Sequence, residues 1–251
     1  MRSWRALAES AAVLAALVAL WWLASHLQWV SKVFLPTPES TLASLAEGLA
    51  TGELKNFTLA TVARMLEGWL LASLAGVLLG ALIGSSAAAR AWLQPTLEFV
   101  RPLPASAVLP LAISLFGLSG GMVLFVVAFG AMWPVLLATV HGLASVEPRL
   151  REVSMALQMP RTAFLWKVGL PSALPDILAG MRLSMTVSLI VAVVGEMIAS
   201  QPGLGQAILL AARSFRASEL FAGIALLGLI GFASNALLAA AEGKLLIWQK
   251  P

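Results

Sequence analysis

The stretch Arg149 to Pro175, "RLREVSMALQMPRTAFLWKVGLPSALP", carries four of the chain's sixteen lysines and arginines and interrupts a sequence that a lipid bilayer would otherwise accept. Of the 251 residues, 60% are hydrophobic and only 11% are charged, against about 25% charged in a soluble domain. There is too little polar surface to cover a soluble core, so the chain is an integral membrane protein and this segment is a polar loop between spans. The net charge of +4 is modest and its cations are dispersed, which excludes the clustered basic face that nucleic-acid binding requires. The absence of cysteine excludes disulfides and thiolate metal sites.

Working outward from the loop, a crossing needs roughly 20 apolar residues. On its N-terminal side, Pro102 to Val146 holds no Asp, Glu, Lys or Arg and is too long for one crossing, so "GLSGG" at Gly117 to Gly121 is read as a turn between two spans. Gly68 to Ala89 forms another, with its apolar pattern reaching back to about Phe57, and Ser10 to Ser31 forms the first. "MRSWRALAES" looks like a signal-peptide n-region, but the many spans that follow predict an uncleaved first helix. Beyond the loop, Ile177 to Ile198 and Leu220 to Ala241 supply two more crossings, separated by "QPGLGQAILLAARSFRAS", an external loop with a short helix. The expected architecture is all-α and polytopic, with six transmembrane helices.

Six crossings put both termini on one side. With the termini inside, Arg2, Arg5, Arg90, Arg149, Arg151, Arg161, Lys167, Lys244 and Lys250 are cytoplasmic, and Lys32, Lys55, Arg213 and Arg216 are external. The excess of cations predicts cytoplasmic termini and a cytoplasmic loop.

Within the loop, "EVSMALQMPRTAFLWKVGLP" resembles the EAA loop of permease subunits of ATP-driven, binding-protein-dependent importers: Glu-Ala-Ala, three residues, Gly, nine residues, Ile, one residue, Leu-Pro. Glu152 takes the Glu position, Val153 and Ser154 the two Ala positions, Gln158 the Gly position, Val168 the Ile position, and Leu170 with Pro171 the closing pair. A glycine suits a left-handed helix end, so Gln158 departs at a conformationally demanding point, while Pro160 suits the restart of a helix. Likeness extends to "LPTP" at Leu35 to Pro38, "TVARMLEG" at Thr61 to Gly68, "RPLPASAVLPL" at Arg101 to Leu111 and "GEMIASQPGLGQAI" at Gly195 to Ile208. The last two resemble the sulfonate, taurine and nitrate branch. The resemblance covers about residues 30 to 245.

The resemblance implies a type I importer permease, with residues 1–30 as N-terminus and first helix, 31–251 as the permease domain, and a coupling loop at 147–171. Glu152, Val153, Ser154, Met155, Leu157, Gln158, Leu170 and Pro171 would contact ATPase subunits, the loop forming two short helices in a groove of the ATPase. The chain has no Gly-x-x-x-x-Gly-Lys-[Ser/Thr] phosphate cradle. It is therefore expected to hold no cofactor, catalytic residue or metal, with ATP and Mg bound by the partner. A solute-binding protein, a second permease copy and the lipid bilayer complete the implied partners. The implied location is the bacterial inner membrane.

Ionisable groups inside spans are functional suspects. Arg64 with Glu67, and Glu98 with Arg101, are spaced to neutralise one another on a helix face, or else Arg64 or Arg101 lines the path of an anion. Glu196 has no charged residue within four positions, so its partner must come from elsewhere in the fold or be water. It is a candidate gate or anchor near the outer mouth. Arg182, a further pathway candidate, lies 14 residues earlier, about 21 Å along a helix, too far to pair with it. Gly76, Gly80 and Gly84 form a face for close helix approach, Pro134 predicts a kink, and Trp21, Trp22, Trp29 and Trp92 read as interfacial anchors.

Two other classes fit six spans. A rhomboid-like serine protease would use Ser119 in "GLSG", but His141 lies 22 residues on in the same predicted helix, about 33 Å away, out of reach for a base. A secondary transporter would show broken helices at matching positions of two half-repeats, and no such repeat is apparent.

Overall fold

The computed structural model describes residues 2–100 and 103–246. Its helices are α1 (Arg2–His26), α2 (Pro38–Thr51), α3 (Glu53–Gly84), α4 (Ala87–Val100), α5 (Leu109–Phe116), α6 (Gly120–Ala144), α7 (Pro148–Ala156), α8 (Arg161–Phe164), α9 (Leu170–Ala199), α10 (Leu204–Arg213) and α11 (Ala217–Leu245). A 3-10 turn, Ala105–Val108, leads into α5, and a π turn, Leu165–Gly169, joins α8 to α9. There is no strand among the described residues. The chain divides into two compact units, residues 1–60 with 202–229, and residues 61–201 with 230–251.

In the first unit, Thr37 caps α2 by accepting a hydrogen bond from the Ser40 amide, and Pro38 follows at the first helical position, where its missing N–H costs nothing. Trp21 Nε1 donates to the Pro36 carbonyl at 2.9 Å, tying α1 to the "LPTP" turn. Trp22 Nε1 donates to Glu39. A backbone hydrogen bond at the start of α2, helped by the Trp22 donor, holds the Glu39 carboxyl below its ordinary range. Ile208 of α10 packs against Gly223 of α11. Ser44, Glu47, Glu53, Arg216 and Glu219 are among the residues around a cavity of about 240 Å³ in this unit.

The second unit is organised on α6. A Cβ at Gly68, Gly76, Gly80 or Gly84 of α3 would strike Val127, Val135, Thr139 and Leu143 of α6 respectively. The offset is 59 each time, so α3 and α6 run parallel in one register, their backbones brought together by glycines four apart. Gly142 meets Ala173, Gly180 meets Ala138, and Gly195 meets Val123, which makes α9 antiparallel to α6. Leu109, Met122, Val123, Val126, Val127 and Ala192 form the core at the Gly120 end.

This register decides the third crossing. Two parallel neighbours require the chain between them to return over their full length, so residues 85–119 must cross. They do so in pieces: α4 ends at Val100, Pro104 stands before the 3-10 turn Ala105–Val108, and α5 follows from Leu109, whereas Pro95 lies inside α4 and Pro110 in the first turn of α5, where a missing N–H costs little. Among the described residues five helices are individually long and apolar enough to span, and Ala105–Phe116 is a shorter apolar helix in the stretch that the composition assigns to the third crossing.

The start of the fifth span differs from expectation. Helical backbone runs without interruption from Arg161 to Ala199, so the fifth span begins well before Ile177 and the second short helix of the loop is its first turn. The π turn falls just before Pro171 and accommodates the proline's missing donor. Pro134 lies inside α6, at the position where the sequence predicts a kink.

Gly80→Val forces a side chain into occupied space, because Thr139 Cβ lies 2.6 Å and the Leu136 carbonyl oxygen 2.8 Å from the point that a Cβ on Gly80 would take. Backbone cannot yield as a flexible side chain can. Gly80→Val is expected to destabilise by about 3 kcal/mol and to lower the amount of protein recovered from membranes. Gly228→Val, with nothing within 4 Å, should leave it unchanged.

Candidate functional site

Two clusters collect the residues singled out from the sequence. The first is the polar loop after α6. Pro148 starts α7, and the helix ends with Gln158 N–H bonded to the Met155 carbonyl and Met159 N–H to the Ser154 carbonyl, the paired bonds of a Schellman end. Gln158 occupies the left-handed region at φ 51°. The position does require the conformation that suits glycine, and Gln158 adopts it at a backbone cost. Pro160, at φ −63° and ψ 150°, stands one residue before α8 and redirects the chain.

The loop helix has a dry face and a wet one. Ser154 is buried and donates to the Leu150 carbonyl at 2.6 Å, while Glu152 and Gln158 are exposed. Exposed beside them are Val153, Met155 at 69%, Leu157 at 68%, and Trp166 at 70% on the π turn. Large apolar side chains at such exposure on a polar loop mark a contact surface. Leu170 is half-buried, whereas Pro171 is exposed at the start of α9.

Arg151 was not singled out from the sequence. Its guanidinium donates to the carbonyls of Leu143 at 2.7 Å and Ala144 at 3.2 Å, the last turn of α6, where carbonyls lack helical partners and a cation is favoured. The only signal was a basic residue a few positions past the end of a span, which is common. Arg90 makes the same kind of bond to the Gly84 carbonyl at the end of α3.

The second cluster lies at the opposite end of α6. Glu196 is fully buried. It accepts hydrogen bonds from Thr61 Oγ1 at 2.9 Å and from Arg64 Nη1 at 2.7 Å, both on α3. The expected distant partner is therefore a buried ion pair joining α3 to α9, with Val123 of α6 at the same level. Arg182 pairs with Glu242 of α11. Glu67, spaced to meet Arg64, is exposed on α3. Arg101 lies outside the described residues, and with it the expected Glu98–Arg101 pair.

Ser119 is the cap of α6, accepting from the Met122 amide at 3.2 Å and donating to the Phe116 carbonyl at 2.9 Å. His141 lies near the other end of that helix. A serine nucleophile with this histidine as base is geometrically impossible.

Against known proteins, residues 72–245 match the family described as "Binding-protein-dependent transport system inner membrane component". The chain is 33% identical over 235 residues to a putative aliphatic sulfonates transport permease protein of Bacillus subtilis, covering 94% of this chain and 85% of that one. It is 31% identical over 244 residues to the taurine transport system permease protein of Escherichia coli, covering 95% and 89%. Among solved structures, an amino acid ABC transporter with histidines has the same fold, with a TM-score of 0.62 at 18% identity over 79% of this chain and 95% of that one.

Proposed function

This chain belongs to the family of inner membrane components of binding-protein-dependent transport systems, and we propose that it conducts a small sulfonate-type solute inward under the drive of an ATPase docked on residues 147–171. It is an ABC importer permease of type I fold, a multi-pass inner-membrane protein that transports and does not catalyse. The proposal adds the solute, the direction, the docking residues and the assembly.

The observation that carries the docking assignment is the exposed apolar group Val153, Met155, Leu157 and Trp166 around Glu152. An ATPase groove would cover these side chains, and Glu152 would meet a basic residue at its rim. Leu170 and Pro171 set the angle at which the loop joins α9. ATP and Mg belong to the ATPase. Two copies of this chain stand on two ATPase subunits, both termini face the cytoplasm, and a solute-binding protein delivers to the outer mouth.

A loop held in a motor's cleft moves the bundle as a body. The α6–α9 interface supports this, because side chains seated against Gly142, Gly180 and Gly195 do not slide past one another readily. The solute assignment follows from the sulfonate and taurine permeases that the chain resembles. Nitrate, expected from the same branch, is the alternative anion.

Glu152→Lys tests the docking. The variant is expected to reach the membrane in normal amount, to lose most of its ATPase in co-purification and to lose uptake of radiolabelled taurine or alkanesulfonate. Full retention of ATPase and uptake would refute the loop assignment.

A further inference from the structure

Helix α11 is 29 residues long, about 43 Å at the helical rise, which exceeds a hydrocarbon core of about 30 Å and matches a bilayer with its headgroup layers. Its first turn therefore stands among headgroups. Two clefts of the first unit meet there. One, of about 410 Å³, has Lys32, Val33, Phe215 and Ser218 in its lining, together with Ser44, Arg216 and Glu219. The last three also line the cavity of about 240 Å³ that holds Glu47 and Glu53. On this shared wall Arg216 Nη1 pairs with Glu219 at 2.8 Å. Among the described residues Lys32, Glu47 and Glu53 form no ion pair. Charge along the two clefts thus runs from a cation, through a neutral pair, to two carboxylates.

The rim of the first cleft is aromatic and strained. Helix α10 ends with Phe215 N–H on the Ala212 carbonyl and Arg216 N–H on the Ala211 carbonyl, which puts Phe215 at φ 55°, the left-handed position that glycine usually fills. A bulky residue there is an outlier. Its ring is not used in the interior: Phe215 is 66% exposed and meets Phe34, 63% exposed, edge to face at 6.4 Å. Exposed apolar residues lead to this pair from the end of α1 through Leu27, Trp29, Val30 and Val33, and Trp21 of α1 stacks on Phe221, one turn into α11, at 5.7 Å. Both helices are long and apolar enough to span and bury almost none of their residues, so a surface for the bilayer to cover rises directly to the cleft. Strain kept at an exposed aromatic points to a contact outside the chain.

We propose that the cleft at the start of α11 holds the head of one aminophospholipid, its phosphate between Lys32 and Arg216, its ammonium toward Glu219 and Glu47, and its acyl chains over Phe34 and Phe215. The dipolar lining selects the head. Lysine and arginine bind the phosphodiester by charge-assisted hydrogen bonds. The head of phosphatidylglycerol would leave the carboxylate end without a counter-charge, and the trimethylammonium of phosphatidylcholine has no N–H to donate to it. Headgroups already occupy this depth, whereas a solute-binding protein meets the transporter from above it. The permease reading puts the cleft in the outer leaflet, and the lipid site depends on neither the solute nor the direction of transport.

Native mass spectrometry of the complete transporter, released from nanodiscs of equal parts phosphatidylethanolamine, phosphatidylcholine and phosphatidylglycerol, reads the lipid that stays bound. One phosphatidylethanolamine per copy of this chain is expected, favoured over phosphatidylcholine about tenfold, as one charge-assisted hydrogen bond implies. Lys32→Gln should remove it. Glu47→Gln should keep a bound lipid but narrow the preference over phosphatidylcholine. Phe215→Gly separates the site from the fold: by relieving the left-handed strain it should hold or raise the thermal midpoint in detergent, while the bound lipid is lost. Equal retention of the three lipids by the wild type, or an unchanged phosphatidylethanolamine count in both Lys32→Gln and Phe215→Gly, would overturn the proposal. Loss of the solute-binding protein from Lys32→Gln with its lipid count unchanged would overturn it too, by assigning the cleft to that protein.

Discussion

Glu196→Ala is expected to destabilise the protein by about 3–5 kcal/mol, the cost of leaving one member of a buried ion pair without its counter-charge. Glu196 has 0% exposure and Arg64 only 18%, so water compensates poorly. Thr61 Oγ1 loses its acceptor in the same variant. Thermal inactivation of the purified transporter in lipid nanodiscs measures the loss as a lower midpoint. The double variant Glu196→Leu, Arg64→Leu removes both charges together and should recover much of the stability, since an apolar pair of similar volume often replaces a buried ion pair without loss. The two designs separate structure from transport. If the cluster is an anchor only, the stable double variant transports. If its opening is part of the cycle, the double variant is stable and silent. A Glu196→Ala protein as stable as the parent would show that the contact is not retained in the bilayer.

The charge pattern made part of this legible. An acid with no charged neighbour within four positions had to find its partner elsewhere, and a 14-residue separation excluded Arg182 by helix rise alone. That the partner would be Arg64 could not be read, because Glu67 offered Arg64 a local alternative of the same sign, and only the register between α3, α6 and α9 decides between them. The same register shows why the third crossing was seen merely as a span. Apolar composition reveals that residues 102–116 belong in a membrane, and prolines reveal local difficulty, but the depth of Ala105 depends on its meeting Gly130 of α6. Gly76, Gly80 and Gly84 were readable as a packing face because spacing by four is intrinsic to one helix. The left-handed conformation at Gln158 was equally local. Arg151 was invisible because its partners are backbone carbonyls, which no sequence pattern distinguishes.

Arg151→Ala is the variant expected to separate motor from transport. The proposed work enters at α7, which is joined covalently to both α6 and the α8–α9 rod, and Arg151 adds a clamp from the middle of α7 to the last carbonyls of α6. Without it, α7 remains a helix, its outward residues Glu152, Val153 and Met155 still present the same surface, and the ATPase still docks. The three-residue connection from α6 to α7, 145–147, then takes up motion that the clamp would have passed on. Hydrogen bonds from a charged donor contribute about 1.5–3 kcal/mol, and loss of one or both lowers the clamped population by about tenfold or more. Uptake per ATP hydrolysed should fall by about that factor, with co-purification of the ATPase unchanged. Arg151→Lys, which keeps the charge but offers no planar fork, should recover an intermediate ratio. A merely structural role predicts instead that ATPase association, hydrolysis and uptake decline together, so the ratio of uptake to hydrolysis would stay constant, and that result would show that the Arg151 clamp does not carry the coupling.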